Sequence, residues 1–281
     1  MSFYDWDLAT KGDVKVKGKT LNKSKLKELE IRYPKSLEEQ KRIVLILDKV
    51  FAEIEKAKSN VQQNLKNAKE LFESCLHRVF ENKDEEWKEK TLKQISVDFG
   101  RGKSKHRPRN DKKLYGGEYP FIQTGNIRNC DHFISDYSQT YNEVGLTQSK
   151  LWPKGTICIT IAANIAETGV LTFDACFPDS VIGIVVNKQL ADLDYVEYLL
   201  QSFKVNLQAL GKGSAQDNIN LGTFENKLFP FPSVEKQQTI VKELNALSTE
   251  TKILEDIYQK KIESIKELKK SILEKAFQGE L

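Results

Sequence analysis

The chain has 281 residues, 39% of them hydrophobic and 30% charged, with a net charge of +4. That is enough apolar material for one large or two ordinary globular domains, and the mildly basic balance assigns no partner by itself. No apolar run approaches the roughly 20 residues of a membrane-spanning helix, and Met1–Asp7 lacks the basic-then-apolar pattern of a secretory signal, so no membrane partner and a cytoplasmic location are expected. The four cysteines, Cys75, Cys130, Cys158 and Cys176, have no C-x-x-C spacing and read as unpaired thiols. Cys130 and His132 form a lone C-x-H pair, short of the four ligands of a structural zinc site, so no metal is expected.

In chain order, residues 1–35 are too few for a domain of their own. Ser36, just after Pro34, reads as the N-cap of a long helix over 36–80, with Glu39 completing a capping box. A helix of about 44 residues would run roughly 65 Å, far beyond the globular norm. Its apolar residues explain the length. Ile43, Leu47, Val50, Ile54, Ala57 and Val61 alternate steps of four and three, a heptad seam. Leu65 then enters one residue out of phase before Ala68, Phe72, Cys75 and Val79 resume, which relaxes the supercoil locally.

Residues 81–232 change character to strand-like runs, Thr156–Ile161 and Val181–Val186, and one helix over Leu193–Gln208. This reads as a mixed α+β domain. Its charges nearly cancel except in one loop, where Arg101, Lys103, Lys105, Arg107, Arg109, Lys112 and Lys113 outnumber the single Asp111. Lysines and arginines so placed neutralise backbone phosphates without reading sequence. Base reading needs amides and guanidinium groups near that charge. Gln123, Thr124, Asn126 and Arg128 supply them, following the apolar Tyr119–Ile122.

From Ser233 to Leu281 the first helix recurs. Gln40, Ile43, Val44 and Leu47 fall on Gln237, Ile240, Val241 and Leu244, and Lys69-Glu70 on Lys266-Glu267. With one residue of slack, Pro34 falls on Pro232 and Leu21-Asn22 on Ile219-Asn220. The seam repeats as Ile240, Leu244, Leu247, Leu254 and Tyr258, then Ile262, Ile265, Ile272 and Ala276, with its interruption at the equivalent place. Gly279 reads as the helix stop. Duplication predicts two long helices that pair antiparallel, within one chain or with a second copy. The fold class expected is α+β: a mixed domain flanked by two long helices forming an antiparallel coiled coil. No G-x-G-x-x-G, Walker A, H-E-x-x-H, G-x-S-x-G or N-P-P-Y motif occurs, and three histidines leave little for acid–base chemistry. Neither a catalytic site nor a cofactor is expected.

Several segments resemble the specificity (S) subunits of type I restriction–modification systems. Trp87-Lys88-Glu89-Lys90-Thr91-Leu92 resembles the start of their target-recognition domain, and Tyr119–Ile127 its Y-P-hydrophobic-x-x-T-G-x-I segment. Leu151-Trp152-Pro153-Lys154-Gly155-Thr156 resembles the L-hydrophobic-P-K-G-[ST] element. Gly213–Ile219 and then Pro230–Pro232 with Glu235, Gln237 and Ile240 resemble the return into the helical region. The resemblance implies a non-catalytic subunit that selects double-stranded DNA for a methyltransferase (M) subunit and, through it, a restriction (R) subunit. It implies a half-sized layout: the tail of an upstream recognition domain over 1–35, a helix over 36–80, a recognition domain over 81–232 and a helix over 233–281. A homodimer through the helices would restore two recognition domains and read an interrupted palindrome. The alternative is a protein-interaction module that binds methyltransferase or specificity subunits without reading DNA.

Overall fold

The punctuation read above marks where elements begin and end. The computed structural model describes residues 33–82, 85–162, 165–212 and 221–281, and upstream of them the antiparallel strands β1 (Val14–Lys15) and β2 (Gly18–Lys19). Most of the expected domain tail over 1–35, and the Gly213–Ile219 motif, lie outside the described residues. After α1 (Leu37–Glu81) come β3 (Lys88–Lys90) and β4 (Ser96–Arg101). A 3-10 turn (Lys112–Leu114) leads into β5 (Tyr115–Phe121), α2 (Thr124–Asn129), β6 (Phe133–Ile134) and β7 (Gln139–Tyr141). Then follow α3 (Glu143–Thr147), β8 (Leu151–Trp152), β9 (Ile157–Thr160), β10 (Thr168–Leu171), β11 (Ala175–Cys176) and β12 (Val181–Val186). The remaining elements are α4 (Leu193–Ser202), α5 (Lys204–Lys212), α6 (Leu221–Asn226), β13 (Phe229–Phe231) and α7 (Val234–Gln278). The chain divides into two compact units, 1–71 with 249–281, and 72–248.

In the first unit α1 and α7 run antiparallel within the one chain. Glu55 and Lys269 pair at 2.9 Å, Lys269 lies 5.0 Å from the Phe51 ring centre, and Arg42 donates to the Leu281 carbonyl. The duplication survives at the level of single bonds. Gln40 Nε2 donates to the Pro34 carbonyl at 2.7 Å, and Gln237 Nε2 to the Pro232 carbonyl at 2.9 Å. Both serines cap, accepting from Glu39 N at 3.4 Å and Lys236 N at 3.3 Å. Only half of the expected capping box forms, because Arg42 holds the Glu39 carboxylate in two charge-assisted bonds of 2.7 and 2.8 Å. Gly279 ends α7 at φ +76°, with Glu280 N bonded to Lys275 O and Gly279 N to Ala276 O, the left-handed cap a glycine makes at no steric cost.

The phase break is present in both helices but lies earlier than the apolar spacing suggested. Ile54 and Thr251, 197 residues apart, are both buried, at 6% and 3% exposure. Beyond them Ala57 and Leu254 turn outward while Lys58 and Glu255 are half-buried, so the four-residue step follows Ile54 and Thr251. Leu254, expected on the seam, is 38% exposed. An apolar count passes over a buried threonine and the half-buried stems of charged residues, and so misplaces the step. Of the other seam residues, Ile43, Ile240, Leu244 and Ile262 are buried; Leu47, Val50, Val61, Leu65, Phe72, Leu247, Ile265 and Ile272 are half-buried.

The second unit is built on two sheets. The first has the order β4-β12-β9-β10-β6, antiparallel except for the parallel β10–β6 pair. β9 is covered on both faces and β12 nearly so, which is why both read as continuous apolar runs rather than alternating ones. The second has the order β7-β5-β11-β8, and a short ribbon pairs β13 with β3. Tyr195, Val196, Leu199 and Leu200 of α4 share a core with Ile157, Ile182 and Ile184 of the sheet. Leu76 and Phe80 of α1 and Ile240, Val241 and Leu244 of α7 belong to the same core.

The single helix expected over Leu193–Gln208 is two, broken at Phe203. The Ser202 hydroxyl bonds back to the Leu199 carbonyl at 2.8 Å, and Phe203 packs edge-on against Phe229 at 5.4 Å. Gly183 of β12 lies under the Trp152–Phe177 stack, where an added Cβ would fall 2.7 Å from Phe177 and 2.8 Å from Trp152. Gly183→Ala is therefore expected to destabilise by about 1–3 kcal/mol through overpacking, measured as a lower denaturation midpoint with unchanged slope.

Candidate nucleic-acid interface

The basic loop leaves β4 at Arg101 and is folded by its own backbone and by buried neighbours. Gly102 donates to Val181 O at 2.8 Å and lies so close to Phe177 that a Cβ would meet its carbonyl at 2.3 Å. His106 N donates to Gln148 Oε1 at 3.0 Å, and the Ser149 hydroxyl to Lys103 O at 2.8 Å. These contacts fix the loop's path while leaving its lysine side chains exposed.

The loop's cations fall into two groups. Arg101 donates to the Asp179 carbonyl at 2.7 Å, Arg109 holds the Asp179 carboxylate at 2.7 and 3.0 Å, and Arg107 bonds the carbonyls of Ser104 and His106. Lys113 lies 3.3 Å from Asp111. The Asp111 carboxyl is held below its ordinary value, first by the Lys113 backbone N–H and then by the His106 ring at 2.9 Å. Lys103, Lys105 and Lys112 are exposed, and among the described residues no acid pairs with them. The arginines and Lys113 organise the loop; Lys103, Lys105 and Lys112 leave their charge uncommitted.

The amide-rich segment is used partly for structure. Asn126 Oδ1 accepts from Gln123 N at 2.9 Å and its amide reaches the Asp136 carbonyl at 3.4 Å, so Asn126 caps α2. Ile122 and Ile127 anchor this short helix in the core. Gln123 is exposed, and its Nε2 donates to Gln139 Oε1 at 2.7 Å. Thr124 is half-buried, and Arg128 is exposed with its Nε 3.3 Å from Asn129 Oδ1. Among the described residues no hydrogen bond or ion pair joins this segment to the basic loop. Gln139 has no motif to mark it; only the Phe121–Gln139 register of β5 and β7 puts it there.

His132 follows this segment and forms a buried ion pair. Its Nδ1 lies 2.8 Å from Glu197 and its Nε2 3.1 Å from Asp194, both on α4. Glu197 is fully buried and also takes bonds from Thr168 and Gln201. Burial opposes the imidazolium charge, but the hydrogen bonds and charges of Asp194 and Glu197 outweigh it and raise the pKa from 6.5 to about 9. The four cysteines are free; burial pushes the Cys130 thiol up to about 12 and the Cys158 and Cys176 thiols up as well. Cys130, Cys158 and Cys176 are therefore inert packing groups at neutral pH. No described helix is long and apolar enough to cross a membrane.

Among proteins of known kind, the chain is similar to a putative type I restriction enzyme specificity subunit, MjaX, of Methanocaldococcus jannaschii, with 26% identity over 93% of this chain. It spans 61% of that relative's length. Its fold is shared with a chain from a structure of the type I R-M system in complex assembly and conformational transition, at TM-score 0.76 and 22% identity, covering 88% of this chain and 61% of that one. It is shared also with the HsdS subunit of Thermoanaerobacter tengcongensis, at TM-score 0.63 and 20% identity, covering 97% and 66%. The S subunit of M. genitalium aligns at TM-score 0.52 and 18% identity, over 92% and 66%. Residues 10–63 and 84–267, both long-helix regions and the domain between them, match the type I restriction modification DNA specificity domain, and the chain belongs to that family.

Proposed function

We propose that this chain is the non-catalytic specificity subunit of a type I restriction–modification complex, selecting duplex DNA for methyltransferase (M) and restriction (R) subunits. The supporting observation is the set of exposed lysines, Lys103, Lys105 and Lys112, which pair with no acid among the described residues, on a loop of a DNA specificity-domain protein. In this reading residues 81–232 read DNA, with Arg101, Arg107, Arg109 and Lys113 organising the phosphate-binding loop. Residues 36–80 and 233–281 form the spacer on which the methyltransferase docks, and 1–35 is the tail of an upstream recognition domain. The chain loaded with a methyltransferase subunit should retain duplex DNA at low salt and release it steeply as salt rises. No retention at low salt would end this reading.

The repeat supports a homodimer. In the second copy Gln237 is fully buried, accepts from the Asp192 amide at 2.8 Å, and is followed by Val241 at 8% exposure. In the first copy the matching Gln40 is half-buried and Val44 is 53% exposed. A second copy's recognition domain would cover that position and restore two reading domains about a twofold axis. Sedimentation should give the mass of a dimer for the chain and of a monomer for Val44→Glu, whose carboxylate would be buried unpaired. A monomeric parent chain, or a variant that still dimerises, would overturn the dimer.

A further inference from the structure

We propose that Gln139 is a specificity-determining residue, acting with Gln123 as one joined amide pair that reads a single adenine in the major groove. The inference rests on the DNA-reading function proposed above and names a contact within it. Gln123 Nε2 donates to Gln139 Oε1 at 2.7 Å, and both side chains are exposed. That bond takes one amide hydrogen of Gln123 and one lone pair of the Gln139 carbonyl, and so turns these two groups toward each other. It leaves the Gln123 carbonyl, an acceptor, and the Gln139 amide, a donor, wholly unused by the pair. Adenine presents the complement, an N6 amino donor beside an N7 acceptor, and is ordinarily met by one glutamine or asparagine using both ends. Gln123 tied to Gln139 meets it with two residues instead.

The pair is held before any base arrives. Asn126, whose side chain is spent on Gln123 N and the Asp136 carbonyl, fixes the backbone of Gln123 and the loop before β7 together. The Phe121–Gln139 pairing of β5 with β7 fixes the other partner. Two residues before Gln139, Tyr137 is 47% exposed and packed edge-on against Phe173 at 5.1 Å, a rigid aromatic face of the kind that receives the methyl group of the paired thymine. Ordering these side chains in advance removes much of the entropy that two free glutamines would lose on binding.

The test is selection from a randomised duplex library by the chain assembled with its methyltransferase subunit, followed by sequencing. The parent chain should fix an A·T pair at one position. Gln123→Ala and Gln139→Ala should each relax that same position by about tenfold or more, and the double variant should lose no more than either single one, since each breaks the same unit. The salt dependence should be unchanged, unlike that of the loop lysines. Gln139→Glu can still accept from Gln123 but offers acceptors alone, so preference should move from A·T toward a pair presenting a cytosine amino group. Gln139→Ala retaining full selectivity, or relaxing a different position from Gln123→Ala, would overturn the pair while leaving DNA reading intact. Absence of any selected position in the parent chain would overturn DNA reading and the pair with it.

Discussion

Replacing Lys103, Lys105 and Lys112 together by alanine should weaken duplex binding by the methyltransferase-loaded chain on the order of a hundredfold at about 0.1 M salt. Each is exposed and, among the described residues, pairs with no acid, so each is free to displace condensed counterions from a phosphate. The slope of log K against log salt should fall by about 0.9 per lost contact, so by roughly 2.7 for three. Sequence preference should survive, because phosphate contacts position the protein without reading bases. Arg109→Ala should behave differently: it breaks the Asp179 ion pair, loosens the loop and leaves the Asp179 carboxylate without that partner. Fluorescence anisotropy across a salt series separates the two. An unchanged slope in the triple variant would make the loop an ordinary solvated surface.

His132→Ala should destabilise the domain by about 3–5 kcal/mol, the usual cost of stranding one partner of a buried ion pair. The stranded group is Glu197, which is fully buried and whose other contacts, Thr168 and Gln201, are neutral. Adding Glu197→Gln to His132→Ala should recover part of the loss, since the orphaned charge is then gone. The same pair predicts a pH dependence with a definite sign. The folded pKa of His132, about 9, lies above its ordinary 6.5. Its stabilisation is therefore fully present below about pH 6.5 and is lost as pH rises through about 9, at a slope of about 1.4 kcal/mol per pH unit between them. Urea titrations of parent and His132→Ala should converge as pH rises from 6 to about 9.5. Parallel curves over that range would show that His132 is not held as an imidazolium.

The two helices were legible because their signals are local. Proline, a capping serine, a heptad seam and a terminal glycine act within a few residues of where they are written, and the repeat doubles each of them. β9 and β12 were legible for the same reason, as short, β-branched apolar runs bounded by turn residues. The other strands were not, since runs as short as Phe133–Ile134, Leu151–Trp152 and Ala175–Cys176 acquire their identity from the partner they pair with. The break at Phe203 was hidden because a helical face persists across it; Ser202 and the Phe229 contact decide it.

The candidate interface divides in the same way. Composition located the basic loop and the amide segment, yet only folding separated loop-building arginines from uncommitted lysines, because Asp179 lies 70 residues from Arg109 in sequence. Folding likewise turned Asn126 inward as a cap and brought Gln139 to Gln123, through a strand register that no local pattern encodes. His132 of the lone C-x-H pair became half of a salt bridge only when α4 packed against it. By itself the sequence determined the two duplicated helices with their shared phase break and the family to which the chain belongs, because periodicity and motif order are properties of the chain read along its length. Tertiary structure alone decided where the phase step falls, which charges are already satisfied and which amides meet, because those depend on which residues lie within a hydrogen bond of one another in space.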